Sequence, residues 1–295
     1  MARTSAWKKW RPLFWLFISV VAMTFLLDGC MQFRMSKSEL EAYFKDKPYK
    51  GTLHQIREGY RVINYLTVGS DSLPLIVFVH GSPGSLGDFI RFMGDTTLVT
   101  KAQLISVDRP GFGSSNFGLA EPSLSRQAAL LKPVLQAHAR GPVILVGHSL
   151  GGPLIARMAM DYPQLIDGLI MVAPSIDPDL EPNEWFRYPF ATPFLRWILP
   201  RSIRASNDEI YHLKPELQEM LPLWKNITKP NIVIQGDKDE LVPPGNADFA
   251  RRMMSHSKVD VRMKGGMNHF VPWTNPELIQ QAVVDMLREL RTKSN

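Results

Sequence analysis

Six runs of nearly unbroken apolar residues punctuate the chain: LPLIVFVHG (73–81), QLISVDRPG (103–111), PVILVGHS (142–149), DGLIMVAP (167–174), PNIVIQGD (230–237) and KVDVRMKGG (258–266). Runs this continuous mark strands buried on both faces. Stretches with helical spacing lie between most of them, at Leu86–Val99, Ser123–Ala139, Leu150–Asp161, Ala247–His256 and Pro276–Arg291. Strand alternating with helix predicts an α/β fold, a mostly parallel sheet flanked by helices on both sides. Ahead of the first run, Thr52–Arg57 and Arg61–Val68 flank Gly59 and predict an antiparallel pair. The alternation breaks once. From Pro174 to Pro230 there is no strand pattern but an aromatic, proline-rich text, EPNEWFRYPFATPFLRWILP, which predicts a helical cap insertion at about 175–228. The main domain is expected to cover 50–293, after a segment 1–29 and a linker with a short helix at 30–49.

The N-terminal pattern is of another kind. A basic stretch, ARTSAWKKWR, precedes an uncharged run from Pro12 to Leu27. As a helix, Leu13–Leu27 would span about 22 Å. That is short of the ~30 Å hydrocarbon core and suits a signal h-region better than a full span. The basic flank stays inside, so the rest of the chain is expected across a membrane from the cytoplasm, tethered through this segment. The only cysteine follows in Leu27-Asp28-Gly29-Cys30, which resembles a bacterial lipoprotein lipobox with Cys30 as the lipidation site. Asp28 departs from that pattern, and an uncleaved N-terminal anchor or a cleaved, soluble export is the alternative.

Composition narrows the field. With 295 residues, 45% hydrophobic and 21% charged, the chain is neither disordered nor collagen-like. A single cysteine excludes a disulfide framework within one chain and a thiolate zinc site. The net charge is +6, but beyond residue 29 there are 30 basic against 27 acidic residues, a net +3. No Lys/Arg-rich run remains to line a phosphate backbone, which sets nucleic acid aside.

The strongest chemical signal is PVILVGHSLGG, where a buried strand runs into Gly147-His148-Ser149-Leu150-Gly151 and then a helix. G-x-S-x-G at a strand-to-helix turn is a nucleophile elbow, in which the serine takes a strained, exposed backbone position and the glycines let strand and helix pass closely. A serine nucleophile needs a base, and the base needs an orienting acid. Both follow in chain order: Asp237 and Asp239 in the loop after PNIVIQ, and His269 after VDVRMKGG. Open α/β sheets place their sites in such loops at the C-terminal ends of strands. His80 and His148 are expected to be structural, and His54, His138, His212 and His256 to face solvent. No metal-ligand motif is present, and no metal is implied.

Four matches together carry a resemblance: HGSPG (80–84), DRPGFGSS (108–115), GHSLGG (147–152), and GDKDELVP (236–243) followed by GMNHF (266–270). The chain resembles the α/β-hydrolase superfamily, close to its capped serine esterase, lipase and perhydrolase branch, from about residue 73 to 272. The resemblance implies Ser149 as nucleophile, His269 as general base and Asp239 as the acid, with Asp237 its rival. It implies backbone N–H donors of Ser82 and Leu150 for the oxyanion, and a bracing loop at Asp108 and Arg109. It implies hydrolysis of carboxylic esters through an acyl-enzyme, without a cofactor. Cap residues Trp185, Phe186, Tyr188, Phe190, Phe194 and Trp197 favour an apolar small-molecule or lipid-like ester, or else form the cap's own core. Amide, thioester, lactone or peracid chemistry on the same triad, and a non-catalytic binding protein on this fold, are the alternatives. A dinucleotide-binding reading of IVFVHGSPGSLGDF with Asp108 is weaker, because the glycines run G-x-x-G-x-x-G and Ser149, Asp239 and His269 go unexplained.

Overall fold

The structure, a computed structural model, describes residues 4–294. Helix α1 (Thr4–Cys30) leads into α2 (Lys37–Phe44). One sheet follows, in the order β1-β2-β4-β3-β5-β6-β7-β8. Its strands are β1 (Thr52–Glu58), β2 (Arg61–Val68), β3 (Leu75–Val79), β4 (Gln103–Val107), β5 (Val143–His148), β6 (Gly168–Val172), β7 (Asn231–Gly236) and β8 (Val259–Lys264). β1 and β2 pair antiparallel across Gly59, whose φ of +61° suits a tight hairpin turn. β2 and β4 are also antiparallel, and the remaining neighbours are parallel. The long helices of the domain are α3 (Leu124–His138), α4 (Gly151–Asp161), α5 (Arg201–Met220), α6 (Gly245–Met253) and α7 (Pro276–Ser294).

The two-residue period of a strand divides the core into two. Leu75, Val77 and Val79 of β3 join Leu131 of α3, Leu154 of α4 and Phe249 of α6 on one face. Ile76 and Phe78 join Ile279, Val283 and Met286 of α7 on the other. The second core also takes in Leu40 and Phe44, so α2 is packed onto the domain and is not a free linker.

Three sequence expectations change. The single helix expected at Leu86–Val99 is three short segments, Leu86–Phe89, Ile90–Met93 and Thr96–Val99. Local side-chain caps restart the turn: Ser85 and Asp88 form a capping box, and Asp95 accepts the N–H groups of Thr97 and Leu98. In the cap, only α5 is long; Trp185–Arg187, Tyr188–Ala191 and Arg196–Ile198 are single turns. Finally, α1 is longer than the 15-residue estimate allowed. Trp10–Cys30, 21 residues, is long and apolar enough to cross a membrane by length and composition.

The sheet positions the site through one close crossing. A Cβ on Gly147 would collide with the Gly151 carbonyl, and one on Gly151 with the carbonyls of Val79 and His80. Helix α4 therefore starts against the ends of β3 and β5 only because both positions are glycine. Gly151→Ala is expected to lose about 2–4 kcal/mol in urea unfolding, as an unrelievable backbone clash. Gly141→Ala, where a Cβ meets nothing closer than 4.0 Å, should stay within about 0.5 kcal/mol of wild type. Equal midpoints for the two variants would contradict this account of the crossing.

Candidate active site

Ser149 sits in the turn between β5 and α4 with φ +54°, an uncommon conformation for a residue bearing a Cβ. Its backbone is held from both sides: its N–H donates to Val172 O at 2.9 Å, and its carbonyl accepts the Gly152 N–H at 2.8 Å. This leaves the side chain on a cavity of about 680 Å³ that also receives Ser82, Leu150 and His269.

His269 and Asp239 come from the loops after β8 and β7. His269 Nδ1 lies 2.9 Å from Asp239 Oδ2. The carboxylate also accepts the N–H groups of Leu241 and Val242 and the amide of Gln235. Burial alone would push the Asp239 carboxyl up; the bonds from His269, Val242 and Leu241 outweigh it and hold it below the usual carboxylate range. Asp237 has a different partner. It is exposed and accepts the Gly266 N–H at 2.7 Å, tying the two loops together. The structure thus brings Asp239, not Asp237, to the imidazole. Among the described residues no hydrogen bond joins Ser149 Oγ to His269, although both line the same cavity. Such bonds often tighten only when substrate is bound.

The other histidines within the motifs are neutral structural groups. His148 Nε2 lies 3.0 Å from the His269 carbonyl, and its ring packs 4.8 Å from that of His269. Burial, then the neighbouring His269, pulls its pKa down to about 3. His80 accepts the Arg109 N–H at Nε2, which places its proton on Nδ1, against Gly81 O. Burial and the Arg109 charge hold it well below the usual range. His54 and His138 are not solvent-facing as expected. They form a half-buried ring cluster with Tyr65, and His138 Nε2 lies 3.1 Å from its hydroxyl. His212 and His256 are exposed.

The bracing loop is built on Asp108, whose two oxygens accept the N–H groups of Leu86 and Ser114 at 2.8 and 2.7 Å. Arg109 is fully buried and donates to the carbonyls of His80 and Gly81. Its charge is met by Glu209 of α5, a residue no sequence motif marks.

The cavity walls correct one expectation outright. None of Trp185, Phe186, Tyr188, Phe190, Phe194 or Trp197 lines it. Nor do they form a cap core: Trp185 is 71% and Phe194 86% exposed. None of the six is buried, because the single turns that carry them lie on the outside of α5 and α1 rather than beneath them. The apolar lining comes instead from Ile203, Ile210 and Leu213 of α5, from Leu241, Phe270 and Trp273 beside Asp239 and His269, and from Phe33. Glu181 adds a carboxyl to the wall, raised by burial and accepting from Ser175 Oγ.

Helix α1 also reaches the cap. Thr24 Oγ1 donates to Ile198 O at 3.0 Å, Phe17 packs 5.8 Å from Trp197, and Asp28 pairs with Arg201 at 2.8 Å. Asp28 also accepts the Arg201 N–H at 2.7 Å, and Ser202 Oγ donates to Met31 O. Cys30, the last residue of the helix, is exposed.

Comparison with known proteins gives the following. A family model described as the alpha/beta hydrolase fold matches residues 74–198. The chain is 23% identical over 255 residues to 2-(acetamidomethylene)succinate hydrolase of Mesorhizobium japonicum, covering 72% of this chain and 88% of that protein. Curated relatives at 30% identity are matched over only 26% to 34% of their own length. A candidate lipase from Acinetobacter baumannii AYE superposes with a TM-score of 0.69 at 20% identity, over 88% of this chain and 98% of that one. A membrane phospholipase A, described as a bacterial virulence factor, superposes at 0.64 and 16% identity, over 96% and 99%. At these identities the superpositions establish a shared fold.

Asp88, on the cavity wall, has its carboxyl pushed up to about 7, first by burial and further by Asp108, itself raised to about 6. Between about pH 4 and 7 the folded state keeps a proton at Asp88 that the unfolded state has released. Stability therefore falls as pH rises through that window. Asp88→Asn should flatten the fall and stabilise the protein at pH 8 by roughly 1–2 kcal/mol, allowing for screening by the open cavity. Urea midpoints at pH 5 and pH 8 measure it; parallel profiles for variant and wild type would contradict it.

Proposed function

We propose that this chain, which has the α/β-hydrolase fold, is a serine hydrolase acting on carboxylic esters with an apolar acyl or alcohol group. The observation that carries this is the imidazole of His269 held 2.9 Å from the Asp239 carboxylate, in the same cavity as a serine at positive φ. Asp239 orients His269 with Nδ1–H toward itself, which leaves Nε2 as the base. Nε2 takes the Ser149 proton as Oγ attacks the ester carbonyl. The backbone N–H groups of Ser82 and Leu150 receive the tetrahedral oxyanion. The protonated imidazole gives its proton to the leaving alcohol, and water then hydrolyses the acyl-enzyme by the same route. The apolar walls from Ile203, Leu213 and Trp273 favour an acyl chain or a lipid-like ester. A binding-only protein would have no use for the strained serine or for an acid spent on orienting one imidazole.

Ser149→Ala and His269→Ala should each remove at least ~10³ of kcat on p-nitrophenyl esters and abolish fluorophosphonate labelling, with circular dichroism unchanged. Asp239→Asn should cost several orders of magnitude by stranding His269 in the wrong tautomer, and Asp237→Asn little. Near-wild-type hydrolysis by Ser149→Ala would end the mechanism; a reversed aspartate ranking would transfer the acid role. A panel of esters from C2 to C16 reads the chain-length preference.

We further infer that α1 is a retained membrane anchor, with the catalytic domain outside the cytoplasm. Cleavage before Cys30 would discard Phe17, Thr24 and Asp28, which contact the cap, and Asp28 also breaks the lipobox pattern. Wild type and Cys30→Ala should both fractionate with membrane and migrate alike on a gel. A mobility shift would restore the lipoprotein reading; wild type in the soluble cytoplasm would overturn both.

A further inference from the structure

The buried ion pair between the cap and the domain has a connectivity that bears on the reaction. Glu209 lies on α5, and its carboxylate is 2% exposed. Oε1 accepts from Arg109 Nη1 at 2.7 Å and Gln127 Nε2 at 2.9 Å. Oε2 accepts from Arg109 Nη2 at 3.0 Å and Ser82 Oγ at 2.9 Å. These bonds fill the lone-pair sites of a carboxylate. Arg109 spends its remaining donors on His80 O, Gly81 O and Gln127 Oε1. Every polar group in the cluster is thereby matched, across 100 residues of sequence between Arg109 and Glu209.

The peptide joining Gly81 to Ser82 is the point of contact with chemistry. It is trans, so its carbonyl and its N–H point in opposite directions. Arg109 Nη2 donates to the carbonyl at 2.8 Å, beside His80 Nδ1 at 2.7 Å. The Ser82 N–H therefore points away from the Gly81 carbonyl that Arg109 holds, and the Gly81 backbone lies close to Ser149: a Cβ built on Gly81 would stand 3.0 Å from Ser149 Cβ. Glu209 holds the Arg109 fork in the plane that makes this possible, and grips the Ser82 side chain as well.

We propose that Glu209 is a positioning residue for the oxyanion loop: it makes the aim of the Ser82 N–H depend on the docking of cap helix α5. The inference rests on Ser149 being the nucleophile. The cap is then more than a wall of the cavity, because a protein whose α5 has moved away presents a loosened oxyanion donor.

In Glu209→Gln, each oxygen of the native carboxylate faces an Arg109 nitrogen, so either orientation of the amide sets a donor against a donor. With the full-length protein in detergent, this variant should lose about 10² in kcat on a soluble p-nitrophenyl ester. KM should change less than twofold, and the affinity for an alkyl boronic acid, whose tetrahedral adduct places an oxygen at the oxyanion site, should fall by the same factor as kcat. A purely structural role would lower the melting temperature and leave these two quantities alone. Since Glu209→Gln leaves Arg109 poorly compensated and could fail to fold, the double variant Arg109→Met/Glu209→Leu is the second arm. Replacing a buried ion pair by apolar residues of similar volume tends to preserve stability. The double variant should fold, melting below wild type because His80 O, Gln127 and Ser82 Oγ lose partners, and keep the loss in kcat and in boronate affinity. Either folded variant with wild-type kcat and boronate affinity overturns the proposal. Activity surviving in Ser149→Ala would instead overturn the nucleophile assignment, so the two failures are separable.

Discussion

The site depends on how closely helix α4 can approach the sheet. Its first turn lies against the C-terminal ends of β3 and β5, where Gly147 and Gly151 leave no side chain to separate them. That contact forces the intervening turn so tight that Ser149 adopts φ +54°. Left-handed backbone at a residue with a Cβ costs roughly 1–2 kcal/mol. The surrounding core over-determines it: β3, β5 and β6 are buried along their whole length, and Val172 and Gly152 grip the serine's own amide and carbonyl. The loops after β3, β7 and β8 then need only reach the place where this turn already holds the hydroxyl.

Around that turn, neutral and charged groups are kept apart by their environments. His148 packs against His269 but is held neutral by burial, so no second imidazolium competes for Asp239. His80 is neutral for the same reason and serves as an acceptor for the Arg109 backbone. The Arg109 charge, completely enclosed, is matched on the spot by Glu209. Of the imidazoles around that turn, His269 is the one whose Nδ1 is held by Asp239.

Much of this was readable from the residues, and the reasons differ by element. The parallel strands were plain because burial on both faces leaves unbroken apolar runs, as in LIVFV of β3. The elbow was plain because its glycines answer a steric need that recurs wherever a helix crosses a strand so closely. For the acid, chain order offered two aspartates and the family motif favoured Asp239 over Asp237; the Asp239–His269 and Asp237–Gly266 bonds that separate them in space are both tertiary. The cap defeated pattern reading. Its aromatics look like a core or a pocket lining, and in space none of them is buried and none lines the cavity. Glu209 was invisible for the opposite reason: a lone acid in a polar helix text looks solvated until its partners, 100 and 82 residues away, are known. Phe33 escaped notice because nothing local distinguishes a residue just past an apolar helix.

Phe33 has a practical corollary. It stands three positions beyond Cys30, at φ +48°, and its ring forms part of the cavity wall. Trimming the hydrophobic N-terminal helix would cut next to, or through, a piece of the cavity wall, and would also free the edge of α5 from Asp28 and Met31. The N-terminal helix and the cavity are thus one engineering unit. Ligand profiles recorded on a shortened protein would describe a cavity with one wall missing.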